Sequence, residues 1–273
     1  MAEAYRQLRT AVLLSTPGHA PKTLLVTSCV PAEGKTTSSI NLAASLAQTN
    51  AKVLLIDADL RRPRLRSIFG MNGRQGLSTV LSREMSEADL LSLIHQHDGS
   101  NLYVLASGPV PPNPAELLGS EQMRRMLKML EPHFTHIVID SAPVASFTDG
   151  VLISSMVDGV LMVIRCGQTP RETLYRSRQM LTAGGANILG VVLNQVEMRS
   201  TSYYQGYYQQ PLIESNAETG SFVAASAWEP AENSIISDLV PTQTIHTNEP
   251  ETEVVATRVS VHPHMRKHKR RRK

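Results

Sequence analysis

The chain has two cysteines in 273 residues, Cys29 and Cys166. That is too few for a disulfide framework and fits no metal-ligand spacing, so a reducing cytoplasm is the setting the sequence suggests. No apolar run approaches the ~20 residues that cross a bilayer. The opening residues, MAEAYR, lack the apolar core of a signal peptide. The sequence therefore predicts a soluble protein unless a partner anchors it. A net positive charge is also missing from the body of the chain: seven of the 27 Lys and Arg lie in residues 266–273 (RKHKRRRK), and the rest carries a balance of −4 against the overall +3. Such a basic block is a solvated tail by default, and its charge also attracts anionic lipid or nucleic acid phosphate. Contact with anionic lipid is the partner expected of it, with no specific nucleic acid.

What is present is ample apolar material, 41% of the chain, enough for a core of enzyme size. From Thr23 to about Val196 one grammar repeats: a short β-branched or Leu-rich run, a turn, then a helical stretch. It predicts an α/β fold with a mostly parallel sheet covered by helices on both faces. Near-continuous apolar runs at 23–28, 52–57, 102–106, 136–140, 159–165 and 188–194 read as buried strands. Helices are expected at 35–48, 86–95, 120–130, 145–155 and 171–183, with another at 2–14 ahead of the first strand. After Val196 the grammar stops. Residues 211–264 hold eight acidic residues against one Arg and few apolar positions, which predicts a disordered linker. The expected organisation is a P-loop domain over 1–200, a tyrosine cluster at 201–210, and a disordered tail over 211–273 ending in the basic block.

The first strand runs into residues 28–37, SCVPAEGKTT, and then into a helix. Strand, loop and helix in that order make a phosphate cradle, because loop N–H groups and the helix N-terminus present positive partial charge to phosphate oxygens. Pro31, Ala32, Glu33, Gly34, Lys35, Thr36 and Thr37 are the expected ATP-binding residues. Lys35 reaches the β/γ-phosphates, and Thr36 is a ligand for Mg²⁺. The strict motif has glycine six positions before Lys35, where this chain has Cys29. Two more strand ends are acidic: VLLIDADLRRP brings Asp57 and Asp59, and IVIDSAP brings Asp140. Ligands sit at the C-terminal strand edges of an open parallel sheet, where carboxylates can hold Mg²⁺ and orient a nucleophile.

These motifs resemble those of the bacterial tyrosine kinases that act in capsule and exopolysaccharide biosynthesis, over positions 2 to about 208. LLIDADLRRP resembles the extra Walker motif that these kinases share with partition and septum-placement ATPases. VPAEGKTT and IVIDSAPV resemble their first and second Walker motifs. The partition-type ATPases carry a signature lysine where this chain has Val30, which favours the kinases; a partition-type ATPase without kinase activity is the alternative. The segments GLSTVL (76–81) and GPVPPNPAELL (108–118) also look like family signatures, with no chemical role evident from their spacing.

The resemblance implies more. Asn194 matches the position that contacts adenine, and an amide can donate to and accept from that base. Glu3, Arg6 and Arg9 resemble an oligomerisation motif and fall within one helical arc. Tyr203, Tyr204, Tyr207 and Tyr208 are four of the chain's seven tyrosines, packed into six residues, and are the implied phosphoacceptors. A neighbouring subunit would phosphorylate them, with Mg²⁺ on Thr36, Asp57 and Asp140 and charge neutralised by Lys35. Asp59, or Asp57 itself, would orient the tyrosine hydroxyl. A transmembrane chain-length regulator is the implied activator, holding the kinase at the inner face of the membrane. In the family the cluster usually closes the chain, whereas about 65 residues follow it here.

Overall fold

The computed structural model describes residues 2–16, 18–72, 74–196 and 254–257. In chain order the elements are α1 (Ala2–Leu13), β1 (Thr23–Ser28), α2 (Lys35–Ala47), β2 (Val53–Ala58), α3 (Leu65–Ile68), α4 (Leu77–Ser82), α5 (Glu87–Ser92), β3 (His95–Gln96), β4 (Leu102–Leu105), α6 (Pro114–Leu118), α7 (Glu121–Leu130), β5 (His136–Ser141), α8 (Asp149–Ser154), β6 (Gly159–Arg165), α9 (Arg171–Ala183), β7 (Ile188–Asn194) and β8 (Val254–Thr257). All six strands expected from the apolar runs are present, and β1, β6 and β7 have the expected bounds.

The sheet order is β3-β4-β2-β5-β1-β6-β7-β8. The pairs from β4 through β7 are parallel, and the edge strands β3 and β8 are antiparallel. Every residue of β1, β2 and β5 is buried, so period-2 alternation here separates two cores rather than core from solvent. Leu24, Val26, Val53, Leu55 and Val138 face the layer formed by α1 and α2. Leu25, Leu54, Ile56, Ile137 and Ile139 face the opposite layer, with Leu77 of α4, Leu118 of α6, Met126 of α7, Ile153 of α8 and Leu181 of α9.

Several elements differ from the sequence expectation. The helix expected over 145–155 begins only at Asp149. The Val144 and Ala145 N–H groups donate to the Ser28 and Cys29 carbonyls, at 2.8 and 3.0 Å, which pins this stretch beside the end of β1 as a separate turn closed on the Pro143 carbonyl, and α8 starts after it. The helix expected over 86–95 ends at Ser92, and His95 pairs with Val104 in β3. GLSTVL and PAELL form the short helices α4 and α6. Residues 254–257, placed by sequence inside a disordered linker, form β8 along β7 with Asn194 opposite Val254. A β-branched VVAT run meets an otherwise open sheet edge there, which satisfies backbone groups on both strands.

Among the described residues no helix is long and apolar enough to cross a membrane.

Candidate active site

The strand order puts the three motif-bearing strands side by side, β2, β5 and β1. The residues at and just beyond their C-terminal ends therefore meet in space, although Asp140 is about a hundred positions from the phosphate loop in sequence. Asp57 and Asp140 are direct register partners, as are Val26 and Asp140.

The loop after β1 turns into α2 at Gly34, which adopts φ +90° as the helix N-cap. A side chain is excluded there twice over: the positive φ strains L residues, and a Cβ would lie 2.0 Å from Asn194 Nδ2. Asn194 Nδ2 donates to the Glu33 carbonyl at 3.0 Å, and its Oδ1 accepts from the Gln195 N–H. One amide hydrogen and one lone pair are left over for a further partner. Asn194 thus braces the phosphate loop from β7.

The side chain of Glu33 is buried and turned inward, away from the phosphate-facing side of the loop that its backbone shares. Its carboxylate accepts from the Val30 N–H at 2.8 Å and from the Thr169 hydroxyl. Only its backbone can serve phosphate. Pro31 and Ala32 are exposed on the loop and Thr37 on the first turn of α2, and Ala32 has φ +69°.

Lys35 Nζ sits 2.7 Å from Asp59 Oδ2, 3.6 Å from Asp140 Oδ2 and 3.3 Å from Thr36 Oγ1. Thr36 Oγ1 donates to Asp140 Oδ2 at 2.7 Å, and Ser39 Oγ donates to Asp140 Oδ1 at 3.2 Å. Ser39 was not singled out by sequence; it lies one helical turn past Lys35, the one signal that could have found it. Asp57 Oδ2 accepts from the Arg64 and Leu65 N–H groups, both at 3.0 Å, while Oδ1 is buried without a hydrogen-bond partner.

Three carboxylates thus surround one lysine. Burial, followed by the charge of Asp140, pushes the Asp57 carboxyl up to about 7 despite the two N–H donors. Burial likewise raises Asp140, against the opposing pull of Lys35 and Thr36. For Lys35 burial acts downward, but Asp140 and Asp59 outweigh it and leave the ammonium more firmly charged than usual.

The other predicted site residues lie elsewhere. Glu3 and Arg6 form an exposed ion pair at 3.0 Å on α1. Arg9 leaves that patch: its Nη1 donates to the Ser45 carbonyl at 2.7 Å, in the last turn of α2. Ser45 is ten residues along α2 from Lys35, about 15 Å from the site. Tyr203, Tyr204, Tyr207, Tyr208 and the basic block lie outside the described residues.

A phosphate loop between a buried strand and a helix, with acidic ends of adjacent parallel strands beside it, places the chain among the P-loop nucleotide-binding α/β proteins. A family model described as an AAA domain matches residues 32–180. Tyrosine-protein kinase YwqD of Bacillus subtilis (strain 168) is 34% identical over 207 residues, which is 76% of this chain and 86% of that protein. The kinase domain of Escherichia coli tyrosine kinase ETK superposes with a TM-score of 0.69 at 34% identity, covering 74% of this chain and 78% of that one. The apo form of McdA from Cyanothece is less similar, with a TM-score of 0.54 at 26% identity, covering 62% of this chain and 71% of that one. The chain belongs to the bacterial tyrosine-protein kinases.

Proposed function

We propose that the chain is an ATP-dependent autokinase that phosphorylates Tyr203, Tyr204, Tyr207 and Tyr208 in trans within a homo-oligomer, and so regulates polymerisation and export of an exopolysaccharide or capsule. The observation that carries the reading is the excess of buried carboxylates over cations: Asp59 and Asp140 pair with a single Lys35, and Asp57, in register with Asp140, has an Oδ1 with no hydrogen-bond partner. A divalent cation relieves that excess, so the residues present fit Mg-ATP. Among the described residues no three His, Cys, Asp or Glu form a ready-made metal cage. Two carboxylates and a hydroxyl suit a magnesium ion that keeps its waters and phosphate oxygens.

Thr36, Asp140 and the free oxygen of Asp57 would hold the magnesium. Bound Mg-ATP supplies the transferable phosphoryl group and the divalent charge. Lys35, on a flexible stem, leaves Asp59 to neutralise phosphate charge, while the loop N–H groups from Ala32 to Thr37 cradle the oxygens. Asp57 and Asp59 are the two carboxylates placed to orient the tyrosine hydroxyl or take its proton. Asn194 offers its remaining donor and acceptor to adenine. Glu3 and Arg6 serve the contact between subunits, with Arg9 shared between that contact and α2. The transmembrane chain-length regulator, the location at the inner membrane face, and lipid contact through residues 266–273 rest on the family and on charge.

The test is incubation of the purified chain with Mg-ATP and mapping of phosphate by mass spectrometry, beside Lys35→Met. Phosphotyrosine within 203–208 that is absent from the variant supports the autokinase. ATP hydrolysis without phosphotyrosine moves the assignment to a partition-type ATPase.

A further inference from the structure

Two residues beyond Asp59 stands Arg61, which none of the roles above employs. Its Nε donates to Asp149 Oδ2 at 2.7 Å and its Nη2 to Asp149 Oδ1 at 2.9 Å. This is the bidentate fork that an arginine makes on a carboxylate and a lysine cannot. The guanidinium carbon also lies 4.0 Å from the centroid of the Phe147 ring. Asp149 is completely buried and Arg61 is only 28% exposed. The pairing with Asp149 strengthens the charge of Arg61.

The location of this pair gives it a task. Arg61 belongs to the loop leaving β2, which carries Asp59; Phe147 belongs to the connection leaving β5, the strand that carries Asp140, and Asp149 opens α8 at the end of that connection. The ion pair ties the Asp59 loop to the segment that follows Asp140. Asp59 has two holds of its own: its Oδ1 accepts from the Arg62 N–H at 3.0 Å, and its Oδ2 faces Lys35 at 2.7 Å. Lys35 is the hold that nucleotide takes away. Once its ammonium turns to phosphate, Asp59 depends on the backbone of its own loop; Asp57 holds the far end of that loop through the Arg64 and Leu65 N–H groups, and Arg61 ties its near end, beside Asp59, to Asp149.

Stability does not account for the pair. Desolvating two charges costs as much as their attraction returns, and an apolar pair of similar volume often serves the fold equally well. A fixed geometry is what an apolar pair does not supply. We infer that Arg61, clamped between Asp149 and Phe147, is a positioning residue that keeps Asp59 aligned with Asp140 after Lys35 has moved to the nucleotide. The inference rests on the kinase reading of the site.

Arg61→Met alone strands a buried carboxylate and can unfold the chain, so the decisive variant is Arg61→Met/Asp149→Asn, in which both charges are gone. Four quantities are compared with wild type: melting temperature, affinity for a fluorescent ATP analogue with Mg²⁺, hydrogen exchange of the peptide spanning 59–66, and the rate of phosphotyrosine formation. The double variant is expected to melt close to wild type and to bind the analogue within about threefold. Its 59–66 amides should exchange about tenfold faster. Its kcat should fall by about 10- to 100-fold with KM for ATP little changed, the loss that a misplaced catalytic group produces. Arg61→Lys, which keeps the charge without the fork, should recover the melting temperature but not the rate. Wild-type exchange together with a wild-type rate in the double variant overturns the inference, because the pair is then packing alone. If wild type itself makes no phosphotyrosine, the kinase reading fails separately, and exchange at 59–66 still decides the clamp: faster exchange upholds it and unchanged exchange removes it.

Discussion

Asp57 is buried with one carboxylate oxygen committed to two backbone N–H groups and the other facing no donor. Its folded pKa, about 7, lies above the ordinary 3.8. The native state therefore binds this proton more tightly, and the stability it contributes is fully present below pH 4 and lost as pH rises through 7. Asp57→Asn can still accept both N–H bonds through its amide oxygen. We predict that it melts like wild type at pH 5 and about 3–6 °C higher at pH 8, the shift that one or two kcal/mol produces in a domain of this size. An equal difference at both pH values would assign the effect to something other than ionisation. Ala32 raises a separate issue, since its φ of +69° places an L side chain in the left-handed region. Ala32→Gly should stabilise the nucleotide-free chain by about 0.5–1 kcal/mol in denaturant unfolding, after the entropy that glycine adds to the unfolded chain is deducted. At this scale Lys35, Thr36, Asp57 and Asp140 were legible because each follows a recognisable strand. The inward turn of Glu33 and the Arg61–Asp149 pair were not, because their partners lie 136 and 88 residues away.

Asp158 accepts from the Lys22 and Thr23 N–H groups at 2.9 Å each, capping the start of β1 from the turn that precedes β6. Burial acts upward on its carboxyl, but the N–H donors outweigh it and hold the pKa below 3.8. With the folded value depressed, the contribution is present above pH 4 and lost as pH falls through the folded pKa. Asp158→Ala should unfold at lower denaturant than wild type at pH 7, with the gap closing below pH 4; a gap that stays constant would rule out the charged cap. At the far edge of the sheet, β8 covers β7. Val255→Pro removes a ladder donor and is expected to speed hydrogen exchange in β7 while β1, β2 and β5 keep their protection. Unchanged exchange would show that β7 does not depend on this cover. The six core strands could be read from apolar runs alone, since strands buried on both faces carry no other pattern. The two antiparallel edge strands could not: HQ and VVAT are too short to signal by composition, and each forms because a neighbour offers an open edge.

At the scale of the whole molecule, the proposed trans reaction requires the tyrosines at 203–208 and a neighbouring subunit's ATP site to meet and then part. Each phosphate adds about −1.5 to −2 charges at neutral pH, and four of them beside a cleft lined by Asp57, Asp59 and Asp140 repel it and one another. Autophosphorylation is therefore expected to lower the mass of the assembly on sizing chromatography with light scattering. An unchanged mass would end that proposal. α1 packs on α2 through Ala4, Tyr5, Leu8 and Val12. The Arg9 hydrogen bond to α2 joins the surface proposed for subunit contact to the helix that begins with Lys35.

The amino-acid sequence by itself determined the layer architecture, the phosphate loop and the acidic strand ends, because these depend on local runs: continuous apolar segments, a glycine before Lys35, a carboxylate closing a strand. It also sufficed to separate the kinase family from its relatives, through Val30 and the tyrosine cluster. Only the tertiary structure decided which strands lie side by side, that Asp57 and Asp140 share a register, that Glu33 turns inward and that Arg61 grips Asp149. Each of these depends on backbone groups and charges brought together by strand order across long stretches of chain. A buried charge or N–H takes whichever partner the fold puts within reach, and its neighbours in sequence do not determine that partner.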